Sequence, residues 1–167
     1  VAVIGAGLVG CELAEAFRSL WGAAVTLIEA AAHPLPRNLD PDSAGCVAAH
    51  LRENGVRLQT GSPVESIRAD DDKVELTAGD EVVEAQVAVV AVGVAPEVDL
   101  GLQAGTELGA GGAIVVDSRL ATSVDNVWAV GDCATVRHAV TGALDYMPLG
   151  SLANRQGRLI GERLAGR

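Results

Sequence analysis

The sequence predicts an α/β fold built on a parallel sheet, on three observations. Short apolar runs that read as buried strands recur at 1–4 (VAVI), 24–29 (AVTLIE) and 87–92 (VAVVAV). Segments with helical spacing lie between the early ones, at 8–20 and from 40 to about 54. A third texture, the short alternating runs VESIRA, KVEL and EVVE, fills residues 63–83 and predicts an antiparallel meander.

Taken in order, residues 1–4 form the first strand. Residues 8–20 follow as a helix, with Leu8, Cys11, Leu13, Ala16 and Leu20 on one broad apolar face and Gly22 as its stop. The strand at 24–29 completes a β–turn–α–β unit. Asp40 is placed to cap the next helix, Pro41 suits its first position, Asp42 complements its dipole, and Gly55 ends it. Residues 56–60 read as a third strand. The meander is broken at Asp70-Asp71-Asp72 and Gly79-Asp80, and the run at 87–92 returns to the parallel sheet. Residues 97–112 read as a connector with one short helix, 113–116 and 127–130 as two further strands, and 152–164 as a last helix. The division expected is a unit at 1–97, a connector at 98–112, and part of a second α/β domain at 113–167.

Composition narrows the function. Hydrophobic residues make up 49% of the 167 positions and aromatics only 2%, so the core must be aliphatic. A formal net charge of −10 argues against nucleic acid or an anionic membrane surface as a partner. No apolar run approaches the roughly 18 residues of a membrane span. A phosphate ligand stays open, because backbone N–H groups and a helix dipole bind phosphate without Lys or Arg. Cys11, Cys46 and Cys133 are far apart, with neither C-x-x-C nor zinc spacing. They read as small packed side chains in a reducing, cytoplasmic setting. His33, His50 and His138 lack any partner that suggests acid–base work, and no metal site is expected. The chain opens inside a strand and closes at Leu164-Ala165-Gly166-Arg167, which reads as a piece of a longer protein.

The chemistry-bearing motif is Gly5-x-Gly7-x-x-Gly10. It has a strand before it, a helix after it, and Glu29 at the end of the next strand, nineteen positions beyond Gly10. Gly5 permits a tight turn, Gly7 leaves room between backbone and a pyrophosphate, and Gly10 lets helix and strand pack closely. The helix start at Leu8 and Val9 offers free N–H groups to that pyrophosphate. Glu29 is placed to accept hydrogen bonds from an adenosine ribose and to repel a 2′-phosphate. Ala30-Ala31-Ala32 offer no Arg to hold one, so NADH is expected over NADPH. The first unit is therefore read as a Rossmann-like NAD-binding domain carrying a three-stranded antiparallel meander. A nucleotide-free turn with a surface Glu is the alternative.

The second half supplies a resemblance. TSVDNVWAVGDCA at 122–134 resembles the second FAD motif of the pyridine nucleotide–disulfide oxidoreductase family. VVAVGVAP at 89–96 resembles the family segment that passes under NAD. YMPLGSLANRQGRLIGERLAG at 146–166 resembles the helix whose start faces the flavin, in the form closest to NADH oxidases, NADH peroxidases and coenzyme A–disulfide reductases. The resemblance implies that Gly131 and Asp132 approach the flavin's ribityl chain and that Gly93 approaches NAD through its backbone. It places Glu12 and Pro148 near the nicotinamide, and Gly150 near the flavin. Two positions depart from the pattern: Leu8 replaces an aromatic gate, and Ala95 replaces an Arg before Pro96.

The resemblance further implies that residues 113–167 are the C-terminal part of a FAD-binding domain. The parent enzyme, a homodimer, would reduce FAD with NADH and pass electrons to a disulfide, peroxide or oxygen. No catalytic residue falls in this chain; the redox cysteine is expected upstream. Two alternatives stand beside this: a flavoprotein reductase of ferredoxin, rubredoxin or nitrite-reductase centres, and a non-enzymatic NAD-sensing module.

Overall fold

The computed structural model describes residues 1–166; the expectation for Arg167 lies outside them. The chain forms two compact units, Val1–Gly93 and a second from Val94 onward.

In the first unit, β1 (Ala2–Ile4), β2 (Val25–Ile28), β3 (Val56–Gln59) and β7 (Ala88–Val90) make a four-stranded parallel sheet in the order β3-β2-β1-β7. Side chains alternate across a strand, and here each face finds a different cover. Val3, Val25 and Leu27 pack with Ala14 of α1 (Leu8–Trp21) and Leu51 of α2 (Pro41–Glu53). Ala2, Ile4 and Ile28 turn the other way and meet Leu76, Ala78 and Val83 of the meander β4 (Val64–Ala69), β5 (Val74–Ala78) and β6 (Glu81–Ala85). With both faces buried, β1 must be apolar throughout, as VAVI is.

The local signals act as expected. Gly22 ends α1 in the left-handed region at φ +63°, a conformation that suits glycine. Asp40 caps α2 by accepting the Ser43 N–H at 2.9 Å, and Pro41 occupies the first helical position.

Two expectations are corrected. The buried face of α1 is Gly10 and Ala14, with Cys11 and Phe17 packed behind them, whereas Leu8 and Leu20 are exposed. The helix lies so close to the sheet that only small residues fit beneath it. Residues 113–116 and 127–130 do not form strands. Ile114 makes single bridges to Leu108 and Ala134, and Trp128 one to Ala121. Among the described residues no strand runs alongside them to extend a ladder, and strand geometry needs that ladder.

The second unit contains α3 (Asp99–Gln103), a small hairpin β8 (Val136–Arg137) and β9 (Leu144–Asp145), and α4 (Gly150–Leu164). Its core gathers Ile114, Val116, Leu120, Ala129 and Ala134, with Ile160 of α4 packed against it.

Candidate functional site

Only Gly5-Ala6-Gly7 separates β1 from α1, and the connection is tight. Gly5 has φ +95°, and a Cβ there would lie 2.5 Å from the Ala91 carbonyl oxygen. A Cβ on Gly10 would come within 1.8 Å of the Gly5 carbonyl oxygen. Both positions require glycine. Gly7 differs: a Cβ there would meet nothing within 4 Å, so its missing side chain leaves open space at the helix start.

The turn is held from both sides through Ala6, which is fully buried. Its N–H donates to Oε2 of Glu29 at 2.7 Å, and its carbonyl accepts the Leu35 N–H at 2.7 Å. The other Glu29 oxygen, Oε1, accepts the Ala31 N–H at 2.8 Å. Glu29 thus staples the glycine turn to the loop after β2. A carboxylate offers about four lone-pair sites, so each oxygen keeps one for a ligand hydroxyl. Leu35 adopts φ +54°, unfavourable for a Leu by about 1–2 kcal/mol. Its place is secured by the bond to Ala6 and by the Asn38 and Leu39 N–H groups donating back to its carbonyl.

Helix α1 begins with donors to spare. The Cys11 N–H donates to the Gly7 carbonyl at 3.0 Å as the first helical bond, so the amides before it have no intrahelical acceptor. No side chain caps this end and no acid lies in its first turn. Leu8 and Val9 are exposed there, and Glu12 is exposed a turn further on. Open space, free N–H groups and the positive end of the helix dipole together suit an anion. Gly93 has φ +112° and open space where a Cβ would stand.

The second unit carries the other expected residues. Gly131, at φ +75°, opens a short 3-10 turn through Asp132 to Cys133, and Asp132 is exposed. The Gly131 N–H donates to Oε1 of Gln156 on α4 at 2.7 Å, and Gln156 is only 8% exposed. A Cβ on Gly131 would lie 3.4 Å from Ala153 Cβ, also on α4. Pro148 is half-buried just before α4, which starts at Gly150 with neither a side-chain cap nor an acid in its first turn. Tyr146 packs its ring over Gly111, whose Cβ would come within 2.7 Å of it. Its hydroxyl is buried without a partner among the described residues. Burial, then the Asp132 carboxylate, push the phenol above its ordinary pKa.

The remaining polar residues do local work. Burial, with Glu29 and Glu12 nearby, pushes the Cys11 thiol up to about 11, so it stays protonated at neutral pH. Cys133 donates to the Val130 carbonyl. His50 lies 3.6 Å from Glu15 on the exposed helix surface, and His138 accepts the Val140 and Thr141 N–H groups in a turn. Among the described residues no group of His, Cys, Asp and Glu is arranged to hold a metal, and no helix is long and apolar enough to cross a membrane.

The structure thus brings Gly5, Gly7, Leu8, Val9, Gly10 and Glu29 together around one turn, and Gly131, Asp132 and the start of α4 around another. Sequence reasoning missed Ala6 and Leu35, which act through their backbones. It also missed Gln156, whose only sequence signal was its place in ANRQGR.

A parallel sheet with a glycine turn feeding a helix, covered by an antiparallel meander, defines an α/β nucleotide-binding architecture. Residues 1–155 match the family described as pyridine nucleotide-disulphide oxidoreductase, and the chain belongs to that family. An NADH oxidase of Methanocaldococcus jannaschii is 37% identical over 99% of this chain and 37% of its own length. A rubredoxin-NAD(+) reductase of Ectopseudomonas oleovorans is 35% identical over 86% of this chain and 37% of its own. The structure of an NAD-dependent persulfide reductase from A. fulgidus superposes with a TM-score of 0.92 at 42% identity, covering 99% of this chain and 31% of that one. The water-forming NADH oxidase from Lactobacillus brevis, bound to NADH, gives 0.89 at 35% identity, covering 98% and 36%. The chain spans little more than a third of the length of the curated relatives it matches.

Proposed function

We propose that this chain is the nucleotide-handling part of an NADH- and FAD-dependent oxidoreductase. Residues 1–97 serve as the NAD-binding domain, 98–112 as a connector, and 113–167 as part of the FAD-binding domain. The observation that carries the reading is the stapled turn: Gly7 leaves space at an uncapped helix start while Glu29 presents its remaining lone pairs beside it.

Each residue then has a physical task. The amides at the start of α1 bind the NADH pyrophosphate. Glu29 accepts hydrogen bonds from the adenosine ribose and repels the 2′-phosphate of NADPH. Gly93 lets the backbone approach the nucleotide, and Glu12 borders the nicotinamide. In the second unit the residues fit a flavin. Exposed Asp132 is free to accept a ribityl hydroxyl, and the uncapped start of α4 at Gly150 can stabilise negative charge. FAD, when bound there, supplies a two-electron acceptor for the nicotinamide hydride; the protein contributes placement and electrostatics.

The terminal acceptor in this reading is a disulfide, persulfide, peroxide or oxygen, engaged by residues outside this chain. A rubredoxin-type acceptor is the second reading, favoured by the rubredoxin-NAD(+) reductase relative. The test is anaerobic mixing of the FAD-loaded longer protein that carries this chain with NADH or NADPH, followed by the flavin absorption band. NADH should bleach the flavin faster than NADPH at equal concentration. The isolated chain, holding only part of the FAD-binding domain, should hold FAD poorly and be inactive by itself; a longer protein that carries this chain and takes up no FAD defeats the proposal. Bleached protein is then offered coenzyme A persulfide, oxygen or rubredoxin, and the acceptor that restores the band decides between the readings.

A further inference from the structure

Asp132 stands on a three-residue turn whose only tie to α4 by hydrogen bond, among the described residues, is made by one side chain. Gln156 is buried, its Oε1 accepts the Gly131 N–H at 2.7 Å, and it lies in the middle of α4, two turns from the helix start. Only the amide oxygen can accept that N–H, so the orientation of the side chain is settled by its partner. Gly131 itself is in the left-handed region at φ +75°, with Ala153 of the same helix just beneath it. A Gly–Asp turn in that conformation has many competing shapes in isolation. The Ala134 N–H donating to the Gly131 carbonyl and the Ile114 N–H donating to the Cys133 carbonyl close the turn, and the bond to Gln156 sets its placement against α4.

We infer that Gln156 is a positioning residue for the flavin: by holding the Gly131 amide it keeps the Asp132 carboxylate in fixed register with the start of α4. This rests on the proposed FAD site. Asp132 and the α4 amides would then meet the cofactor as one preformed unit. Loss of the latch lets the turn sample placements against α4 that cannot bind. The apparent dissociation constant rises in inverse proportion to the competent fraction. One buried hydrogen bond makes that about a tenfold effect.

In the longer protein that carries this chain, the experiment compares Gln156→Met, which keeps volume but loses the acceptor, with Gln156→Glu, which retains an acceptor oxygen in either protonation state. Readouts are the FAD dissociation constant, hydrogen exchange at the Gly131 amide, and thermal unfolding of the FAD-free protein. Q156M should bind FAD about tenfold more weakly, with faster exchange at Gly131, and Q156E should recover most of both. If Q156M lowers thermal stability but binds FAD within twofold of wild type, Gln156 is only structural and the inference is overturned. Equal losses in Q156M and Q156E also overturn it. A wild-type protein that takes up no FAD fails at the underlying reading instead.

Discussion

Glu29 offers the sharpest test, because the structure gives it two tasks with separate readouts. Replacing it with Ala removes the acceptor of two backbone N–H groups. Ala6 is fully buried, so its N–H is stranded without water, at a cost of about 1–3 kcal/mol. Ala31 is only half-buried and can rehydrate, so its bond costs about 0.5–1.5 kcal/mol. Together these give roughly 3 kcal/mol, which for a unit of this size lowers the melting temperature by about 10–20 °C. Glu29→Gln keeps one acceptor oxygen and should fall between the two.

The assay is thermal unfolding by circular dichroism without nucleotide, with hydrogen exchange at the Ala6 amide, followed by titration with NADH and NADPH. The double substitution Glu29→Arg with Ala30→Arg should shift preference toward NADPH while losing the same stability as Glu29→Ala. A Glu29→Ala protein that melts within about 2 °C of wild type, with unchanged exchange at Ala6, would falsify the stapling role. Unchanged discrimination between NADH and NADPH in the double variant would instead remove Glu29 from the ribose site.

The three glycines of the turn should separate by substitution. Gly7→Ala should cost no more than about 1 kcal/mol in stability, since its Cβ enters open space, yet weaken NADH binding. Gly10→Ala should destabilise by 2 kcal/mol or more, roughly, because its Cβ meets the Gly5 carbonyl; equal Tm values for the two variants would refute this. Stability should fall as pH rises between about 9 and 11. The unfolded Cys11 thiol releases its proton near its ordinary 9.0, while the folded one holds it to about 11. Cys11→Ala should flatten that slope in urea titrations across the range. Leu27→Ala, at a fully buried position between α1 and α2, should cost about 3 kcal/mol by urea denaturation.

Much of the first unit was legible in the chain. Largely apolar runs marked three of the four strands of the parallel sheet, alternation marked the meander, and Asp40, Pro41 and Gly22 marked helix ends through their own backbone chemistry. These signals are local, so they survive without a structure. The face of α1 was misread because helical spacing favours the largest apolar residues, whereas close packing on the sheet selected Gly10 and Ala14. The strands expected at 113–116 and 127–130 reduced to single bridges because a ladder depends on neighbours that composition cannot supply.

The candidate sites divide in the same way. By itself the sequence determined the glycine turn and an acid at the end of the second strand, since residue type and spacing carry that pattern. Only the tertiary structure decided how the turn is held. Glu29 reaches Ala6 across 23 residues, Leu35 reaches the same residue through its backbone, and Gln156 reaches Gly131 across 25. A hydrogen bond between distant segments leaves no periodicity and needs no special residue at the backbone partner. It exists only once packing has brought donor and acceptor within 3 Å.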